Sequence, residues 1–350
     1  MKPFSCTGLV GALFLLLLAL GAGPAGALEG GAMPDPQAAQ NEAQRQQVQP
    51  LNNAPVWNEV RSGAPQSTAI PSRERGVLVE PGGERWRQLR NGLVTPAASV
   101  WLSVAVLAVV ILYLWKGPMR APPPTGRLIL RFRYVQRFAH WGVAGLFVLL
   151  ALSGLIILLG RYVLRPVIGA TLFGWLGMLA KVVHNLSGPL FAMFTLLLVI
   201  VFMRDNLPRA GDVRWLLQAG GLLTGKHMPA GKFNAGQKMW FWGGLLTFGL
   251  IMSASGFVLD FPNLNQTRAT MHLAEIVHVS IGAIFIGLSF FHIYLGTIGQ
   301  EGALDAMRTG YVDESWAKEH HELWYKAVKA GRVPQPEDGA APASPRPANS

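Results

Sequence analysis

The chain of 350 residues contains a single cysteine, Cys6. One thiol cannot form an internal disulfide, and it cannot supply the set of thiolate ligands that iron–sulfur clusters require. Charged residues are also scarce, at 14% of the chain, whereas hydrophobic residues make up 51%. This balance is typical of a protein that crosses a membrane several times and excludes an ordinary soluble domain. Any cluster chemistry must therefore be carried by another protein.

Residues 1–27 have the pattern of a secretory signal peptide. Lys2 is followed by an apolar core from Leu9 to Leu20 and by the small residues Ala25-Gly26-Ala27, which are typical of a cleavage site. The alternative is a signal anchor that is retained. If the segment is removed, Cys6 leaves with it and the mature chain has no thiol. Residues 28–97 have no sustained apolar period, which predicts an exported and mostly irregular segment.

Five apolar stretches follow, at about 98–115, 138–159, 182–203, 240–259 and 273–298. Each is long enough to cross a bilayer as a helix. The first carries no ionisable residue and is flanked by Trp101 and Trp115, as expected for a simple anchoring helix. The predicted fold is therefore an all-α membrane protein in which this extra helix precedes four others.

Lysine and arginine are distributed unequally among the links between these spans. Six lie between the first and second spans and six between the third and fourth, against three and one in the other two links. Because short basic loops remain in the cytoplasm, we expect the mature N-terminus outside the membrane and the C-terminus in the cytoplasm. The net charge of +11 is divided among these loops, so nucleic-acid binding is not expected.

Two histidines, His278 and His292, lie within the last span. Fourteen residues separate them, which is close to four helical turns and about 21 Å along the axis. They should therefore project from the same face, one near each membrane surface. A polar side chain at such depth is costly and marks a functional site.

Two further span histidines allow pairing by depth. His184 belongs with His278 near the outer surface, and His140 belongs with His292 near the inner surface. Two imidazoles per site predict two haem b groups with bis-histidine iron ligation. Zinc or copper in a histidine-lined transporter is the alternative from another class, although the spans offer few carboxylate or sulfur ligands. No role is assigned to the remaining histidines, which are His227, His272, His320 and His321.

The segment from Gly231 to Lys238 leads into the fourth span on the inner side. Asn234 is suited to cap the helix that follows. The same geometry, with an amide side chain, backbone N–H groups and Gly236 for close approach, also suits a quinone carbonyl. The residues alone leave both interpretations open.

These features resemble the cytochrome b, or gamma, subunit of respiratory formate dehydrogenase over about residues 131–328. The matching pieces are RFAHW at 137–141, His184 before a run of small residues, KFNAGQKMW at 232–240, the spacing of His278 and His292, and WAKEHH at 316–321. Histidine spacing alone also fits hydrogenase and other dehydrogenase cytochromes b. The loop and the tail are the specific features.

The resemblance implies a four-helix dihaem bundle over 131–299 and a cytoplasmic tail over 300–350. It implies haem ligation by His184 with His278 and by His140 with His292. Asn234, Gly236 and Gln237 would bind a quinone, either menaquinone or ubiquinone. Such a chain is the electron-transfer subunit of a formate:quinone oxidoreductase. It has no catalytic residue of its own, and its expected partners are an iron–sulfur subunit, a catalytic formate dehydrogenase subunit and membrane lipid.

Overall fold

The computed structural model describes residues 82–218, 220, 228–264 and 266–335, together with 40–41, 44–45, 48–49, 53–62, 66–67 and 77–79. The predicted signal peptide lies outside the described residues, as does His227. Within the described part, five helices are long and apolar enough to cross a membrane. The prediction of a helical membrane protein with five spans is confirmed.

The described chain is mainly helical. Its helices are α1 (Ala54–Ser62), α2 (Gly83–Leu89), α3 (Thr95–Lys116), α4 (Tyr134–Val163), α5 (Arg165–Phe202), α6 (Ala210–Leu217), α7 (Ala235–Met239), α8 (Gly249–Asp260), α9 (Arg268–Thr297), α10 (Ala303–Arg308), α11 (Glu314–His320) and α12 (Glu322–Lys329). Its strands are β1 (Gln66–Ser67), β2 (Val77–Val79), β3 (Leu128–Leu130) and β4 (Tyr311–Asp313). Two π-helical segments, Arg90–Val94 and Trp240–Phe248, join α2 to α3 and α7 to α8.

The spanning helices extend beyond the apolar stretches of the sequence. The first span runs without a break from Gly83 to Lys116, and α5 begins at Arg165, well before residue 182. Pro166 stands at the start of α5, where its missing N–H costs nothing. Gly169 (φ 79°) interrupts the helical geometry within it. An apolar stretch in the sequence predicts that a spanning helix exists, but it does not give the residues at which that helix begins and ends.

The described residues form two compact units. One contains those up to Val100 with Val258–Ser280, and the other contains Trp101–Phe257 with those from Ile281 onward. Buried aromatic side chains dominate the core of the second unit. Phe147 of α4 meets Phe285 of α9 with ring centroids 4.8 Å apart. The absence of a side chain at Gly142 makes room for the ring of Phe194, which a Cβ would approach to 2.1 Å.

Helix α3 packs against the helix that carries two of the candidate histidines. In the second unit, Trp101 Nε1 of α3 donates to the Ala283 carbonyl of α9 at 2.9 Å. The indole fills the space left by Gly287, where a Cβ would lie 2.3 Å from Nε1. Further along, Tyr113 and Tyr294 meet edge to face. The extra helix therefore does more than anchor the chain, because it braces α9.

The segment after α9 folds back on the start of α4. Strands β3 and β4 pair antiparallel, with Ile129 opposite Val312. Glu314 at the start of α11 is buried and bonds Arg127, Tyr325 and Lys329. The Lys329 ammonium is the main cause that lowers the pKa of Glu314. A buried carboxylate with three partners fixes α11 and α12 in place.

Candidate functional site

His140 of α4 and His292 of α9 lie close together in the second unit. Their ring centroids are 6.3 Å apart and the rings are inclined by 54°. His140 is half-buried and His292 is exposed, although both belong to membrane-spanning helices. An imidazole that is exposed on a membrane-spanning helix lies neither in water nor in the protein core. The pair therefore points to a ligand.

The spacing of this pair fits iron ligation by two imidazoles. Nitrogens on opposite sides of one first-row metal, each about 2.0–2.1 Å from it, leave their ring centres roughly 6 Å apart. His140 Nδ1 is buried and has no hydrogen-bond partner among the described residues. Within the part of the chain that the structure describes, no three His, Cys, Asp or Glu side chains come together as a metal-binding group. Two axial imidazoles without further protein ligands suit haem, whose macrocycle supplies the other four donors.

Small residues leave space beside three of the histidines. Gly188 and Gly296 stand one turn beyond His184 and His292, and a Cβ at either glycine would meet no atom within 4 Å. At Gly282, one turn beyond His278, the nearest atom would be the flexible Met252 Cε at 3.3 Å. The room that a porphyrin needs next to its axial ligand is thus present.

Trp240 is a second aromatic neighbour of His292. The indole stacks on the imidazole with centroids 5.1 Å apart and planes 17° apart. Trp240 opens the π-helical segment Trp240–Phe248. Such segments are rare and occur frequently at functional sites. Trp240 therefore links His292 to the loop that precedes the π-helical segment.

His184 of α5 has a hydrogen-bond partner on the neighbouring helix. Its Nδ1 lies 2.9 Å from Ser153 Oγ of α4. Ser153 also lies 2.7 Å from the Leu149 carbonyl, to which its hydroxyl donates. When the serine hydroxyl donates to that carbonyl, the serine oxygen accepts the Nδ1 proton of His184. Second-shell bonds of this kind orient metal-ligating histidines. Gly154 makes the contact possible, because a Cβ there would press on His184 Cε1 at 3.2 Å.

His278 lies in the first unit, on the N-terminal part of α9. One turn before it, Glu275 accepts a hydrogen bond from Arg90 Nε at 2.6 Å. His272, a further residue on this helix, stacks on Trp86 with centroids 4.7 Å apart. Helix α2 and the π-helical segment that lead into α3 are therefore held against the start of α9. The pairing of His278 with His184 remains a prediction.

The loop residues Asn234 and Gln237 form a capping box at the start of α7. Asn234 Oδ1 accepts from the Gln237 N–H at 2.9 Å, and Gln237 Oε1 accepts from the Asn234 N–H at 3.0 Å. The capping interpretation of Asn234 is therefore confirmed. Both caps use the amide oxygen, so each side chain still has an NH₂ group to donate. The ring of Trp215 lies against Gly236, where an added Cβ would come within 3.2 Å of the indole.

A polar pocket of about 80 Å³ adjoins this loop. Its side chains include Arg209, Asp212, Trp215, Phe233, Asn234 and Lys238. The volume accommodates a few water molecules or one edge of a ring rather than a whole drug-sized ligand. Several polar groups of different charge converge on it, as they do in binding sites.

His321 of the tail holds the loop from its far side. Its Nδ1 bonds the Gly231 carbonyl at 2.7 Å and its Nε2 accepts from Arg131 at 2.7 Å. Arg131 also donates to the Lys232 carbonyl at 2.9 Å. Burial, with a smaller contribution from Arg131, lowers the pKa of His321 well below its ordinary value, so the ring is neutral. Burial lowers the pKa of Arg131 to about 9, which leaves it charged at neutral pH.

Sequence reasoning missed several of these side chains. His321 was given no role, yet it is only 1% exposed. Its place within the WAKEHH motif was a signal, but nothing in the sequence paired it with Arg131, 190 residues away. Ser153 and Trp240 gave no signal beyond being a polar residue within a span and an aromatic near an interface. Their roles follow from packing between helices.

Comparisons with known proteins agree with this arrangement. The sequence model described as prokaryotic cytochrome b561 matches residues 131–310. The nitrate-inducible formate dehydrogenase cytochrome b556(Fdn) subunit of Escherichia coli K12 is 28% identical over 220 residues, which is 61% of this chain and 98% of the relative. The E. coli K12 formate dehydrogenase cytochrome b556(fdo) subunit is 28% identical over 209 residues, 57% of this chain and 93% of the relative.

A third relative comes from Haemophilus influenzae. Its formate dehydrogenase cytochrome b556 subunit is 28% identical over 209 residues, covering 57% of this chain and 82% of the relative. The resemblance to the cytochrome b subunits of formate dehydrogenases, which the loop and tail motifs indicated, is confirmed. Since the matched family region spans more than half of the 350 residues, this chain belongs to the prokaryotic cytochrome b561 family.

Proposed function

We propose that this chain is the membrane-anchoring cytochrome b subunit of a formate dehydrogenase. It would pass electrons from a periplasmic iron–sulfur subunit through two b haems to a quinone on the cytoplasmic side. Formate oxidation itself would occur in a partner subunit. The observation that carries this proposal is the His140–His292 pair at 6.3 Å, with a buried ring nitrogen that lacks a partner.

The four span histidines would divide into two sites. His140 and His292 would hold the inner haem, and His184 and His278 the outer one. Haem b supplies one-electron redox chemistry when bound, and the protein tunes it through axial ligands and local polarity. Ser153 orients His184 by accepting its Nδ1 proton. Trp240 stacks on one face of His292.

The loop next to the inner pair supports a quinone site there. A quinone carbonyl is a hydrogen-bond acceptor, and the NH₂ groups of Asn234 and Gln237 are donors that the capping box leaves available. The tail histidine His321 holds the loop backbone at Gly231. Preorganised donors of this kind bind a polar ligand without a further ordering cost.

The basic loops support an orientation with the loop and tail in the cytoplasm of a bacterial inner membrane. A leader over 1–27, an exported segment over 28–97 and an additional helix before the four-helix region would then be additions to the family core. Electrons moving inward, with quinone protons taken from the cytoplasm, would contribute to a proton-motive force. A reporter fused after residue 336 should behave as cytoplasmic; an exported reporter would contradict this orientation.

Two other functions compete with this proposal. A hydrogenase or another respiratory dehydrogenase could use a cytochrome b of the same histidine pattern, and the identity of the copurifying partner separates these cases. A histidine-lined metal transporter would need clusters of several protein ligands. Among the described residues no group of three such ligands occurs, which favours axial haem ligation.

The test uses membranes that contain the complete complex. Formate should reduce two b-type haems, and a quinone should reoxidise them. A formate dehydrogenase subunit should copurify with this chain. Haems that hydrogen reduces and formate does not would assign the chain to a hydrogenase. A colourless purified protein would contradict electron transfer altogether.

A further inference from the structure

Lys238 is a buried cation at the edge of the polar pocket. The residue is 6% exposed, which is rare for lysine unless it is paired. Its Nζ donates to both carboxylate oxygens of Asp212, at 3.0 and 2.8 Å. The pair joins α7 to α6. An ammonium has three N–H groups, and among the described residues its hydrogen-bond acceptors are the two carboxylate oxygens of Asp212.

The pair lies where a ligand of the pocket would be. Lys238 and Asp212 both line it, as do Asn234 and Arg209. The side chain of Asp212 is 21% exposed against 7% for Lys238. Solvent therefore reaches the carboxylate more readily than the ammonium. Trp240, two residues after Lys238, stacks on His292, so the chain segment that contributes Lys238 to the pocket also contacts a candidate ligand of the inner haem.

We propose that Lys238 Nζ gives protons to the quinone and that Asp212 returns them from the cytoplasm. This inference rests on the proposed function. Reduction of a quinone to a quinol takes two electrons, which the proposed electron transfer supplies, and two protons. For each proton, an Nζ–H bond breaks and a quinone O–H bond forms, which leaves a neutral amine. The carboxylate of Asp212 then carries a solvent proton to that amine.

A structural tie between α6 and α7 is the alternative role for this pair. Arginine separates the two roles. A guanidinium forms a two-pronged bond with a carboxylate, so Lys238→Arg keeps the tie. Its pKa is too high for it to give up a proton at neutral pH. A structural tie predicts an active Lys238→Arg variant, whereas proton donation predicts a slow one.

The experiment measures reoxidation of formate-reduced haem by a short-chain quinone in the intact complex. Loss of a general acid slows such a step by about 10²-fold or more, and both Lys238→Arg and Lys238→Met should show this. Acidification should partly restore their rates, since solvent protons replace the lost donor. Lys329→Arg is the matched control, because Lys329 is paired with the buried carboxylate of Glu314, lies outside the loop and does not line the pocket. Its rate should equal that of the wild type.

Two further readouts make the result decisive. Haem content and binding of the same quinone, measured by titration calorimetry, should stay within about threefold of wild type in Lys238→Arg. A wild-type rate in Lys238→Arg overturns proton donation by Lys238, as does a slow rate that follows only from lost quinone binding. A wild-type complex whose reduced haem no quinone reoxidises defeats the proposed function instead.

Discussion

His140 and His184 are candidate axial ligands on adjacent helices, yet their ring nitrogens have different surroundings. His184 Nδ1 lies 2.9 Å from Ser153 Oγ on the neighbouring helix, a contact that orients the imidazole. His140 Nδ1 is buried without a partner among the described residues. A lone buried polar atom costs free energy until something satisfies it. The outer ligand is thus oriented by the protein, whereas the inner one depends more on what binds beside it.

Replacing the candidate histidine ligands should have the largest effect, because each replacement should remove one of the two haems. His140→Ala and His292→Ala should each abolish one haem completely, and it should be the same haem, because the two rings lie 6.3 Å apart. His184→Ala and His278→Ala should abolish the other. Redox-resolved difference spectra identify which haem is lost. If the His140 and His184 variants lack the same haem, the assignment of pairs is wrong.

The loop should affect the inner side alone. Asn234→Asp keeps an oxygen to cap α7 but removes the NH₂ donor, and Gln237→Glu does the same at the other half of the capping box. A lost hydrogen bond to a polar ligand costs about 1–3 kcal/mol, so quinone turnover should fall by about one to two orders of magnitude. Both haems should remain and be reduced by formate.

A more severe pair of variants gives the control for this prediction. Asn234→Ala and Gln237→Leu remove the cap as well, which costs about 1 kcal/mol of stability. Stopped-flow reoxidation by a quinone analogue compares all four. Unchanged turnover in the variants that keep the cap would return the loop to a structural role and move the quinone site elsewhere.

Ser153 sharpens the contrast between the two histidines. Ser153→Ala removes the acceptor of the His184 Nδ1 proton, and loss of such a second-shell bond typically lowers metal-site affinity by about 10–100-fold. The outer haem should be retained less firmly and titrate at a different potential, while the inner haem stays unchanged. Ser289→Ala is the matched control, since that serine donates to the Phe285 carbonyl. A shift of the inner haem instead would reverse the assignment.

Much of the fold followed from the sequence because lipid imposes long apolar helices. The charge in the loops and the depth of each histidine led further to the predictions of orientation and of the histidine pairs, which remain predictions. The Arg131–His321 bond could not be predicted from the sequence, because no local pattern pairs two residues that are 190 positions apart. Nor could the helical start of α5 at Arg165, because Pro166 and Gly169 in the link between two spans are typical of a break in a helix.

The dual use of Asn234 is an intermediate case. Its capping role was predictable from a local rule about helix starts. Its relation to the pocket was not, because Arg209, Asp212 and Trp215 approach it from α6 and the preceding turn. A helix cap can be predicted from neighbouring residues in the sequence. The side chains that line a pocket come from distant parts of the chain and cannot be predicted in this way.

Acid should produce the smallest effect, and it should begin at the tail. Burial lowers the pKa of His321 in the folded chain below its unfolded value of 6.5. The unfolded tail therefore takes up a proton first, so stability is complete above about pH 6.5 and declines below it. The slope is roughly 1.4 kcal/mol per pH unit. Hydrogen exchange of α11 and α12 measures it. His321→Gln should exchange faster at neutral pH with a flatter pH dependence, and an equally steep one would assign the effect to another group.

The number of haems per chain tests the central claim most directly. A pyridine haemochrome assay on the purified wild-type protein, together with a dithionite-reduced difference spectrum, gives that number and the haem type. Four span histidines in two pairs predict two b haems per chain. A single haem would contradict the second pair, and the absence of haem would contradict the whole account.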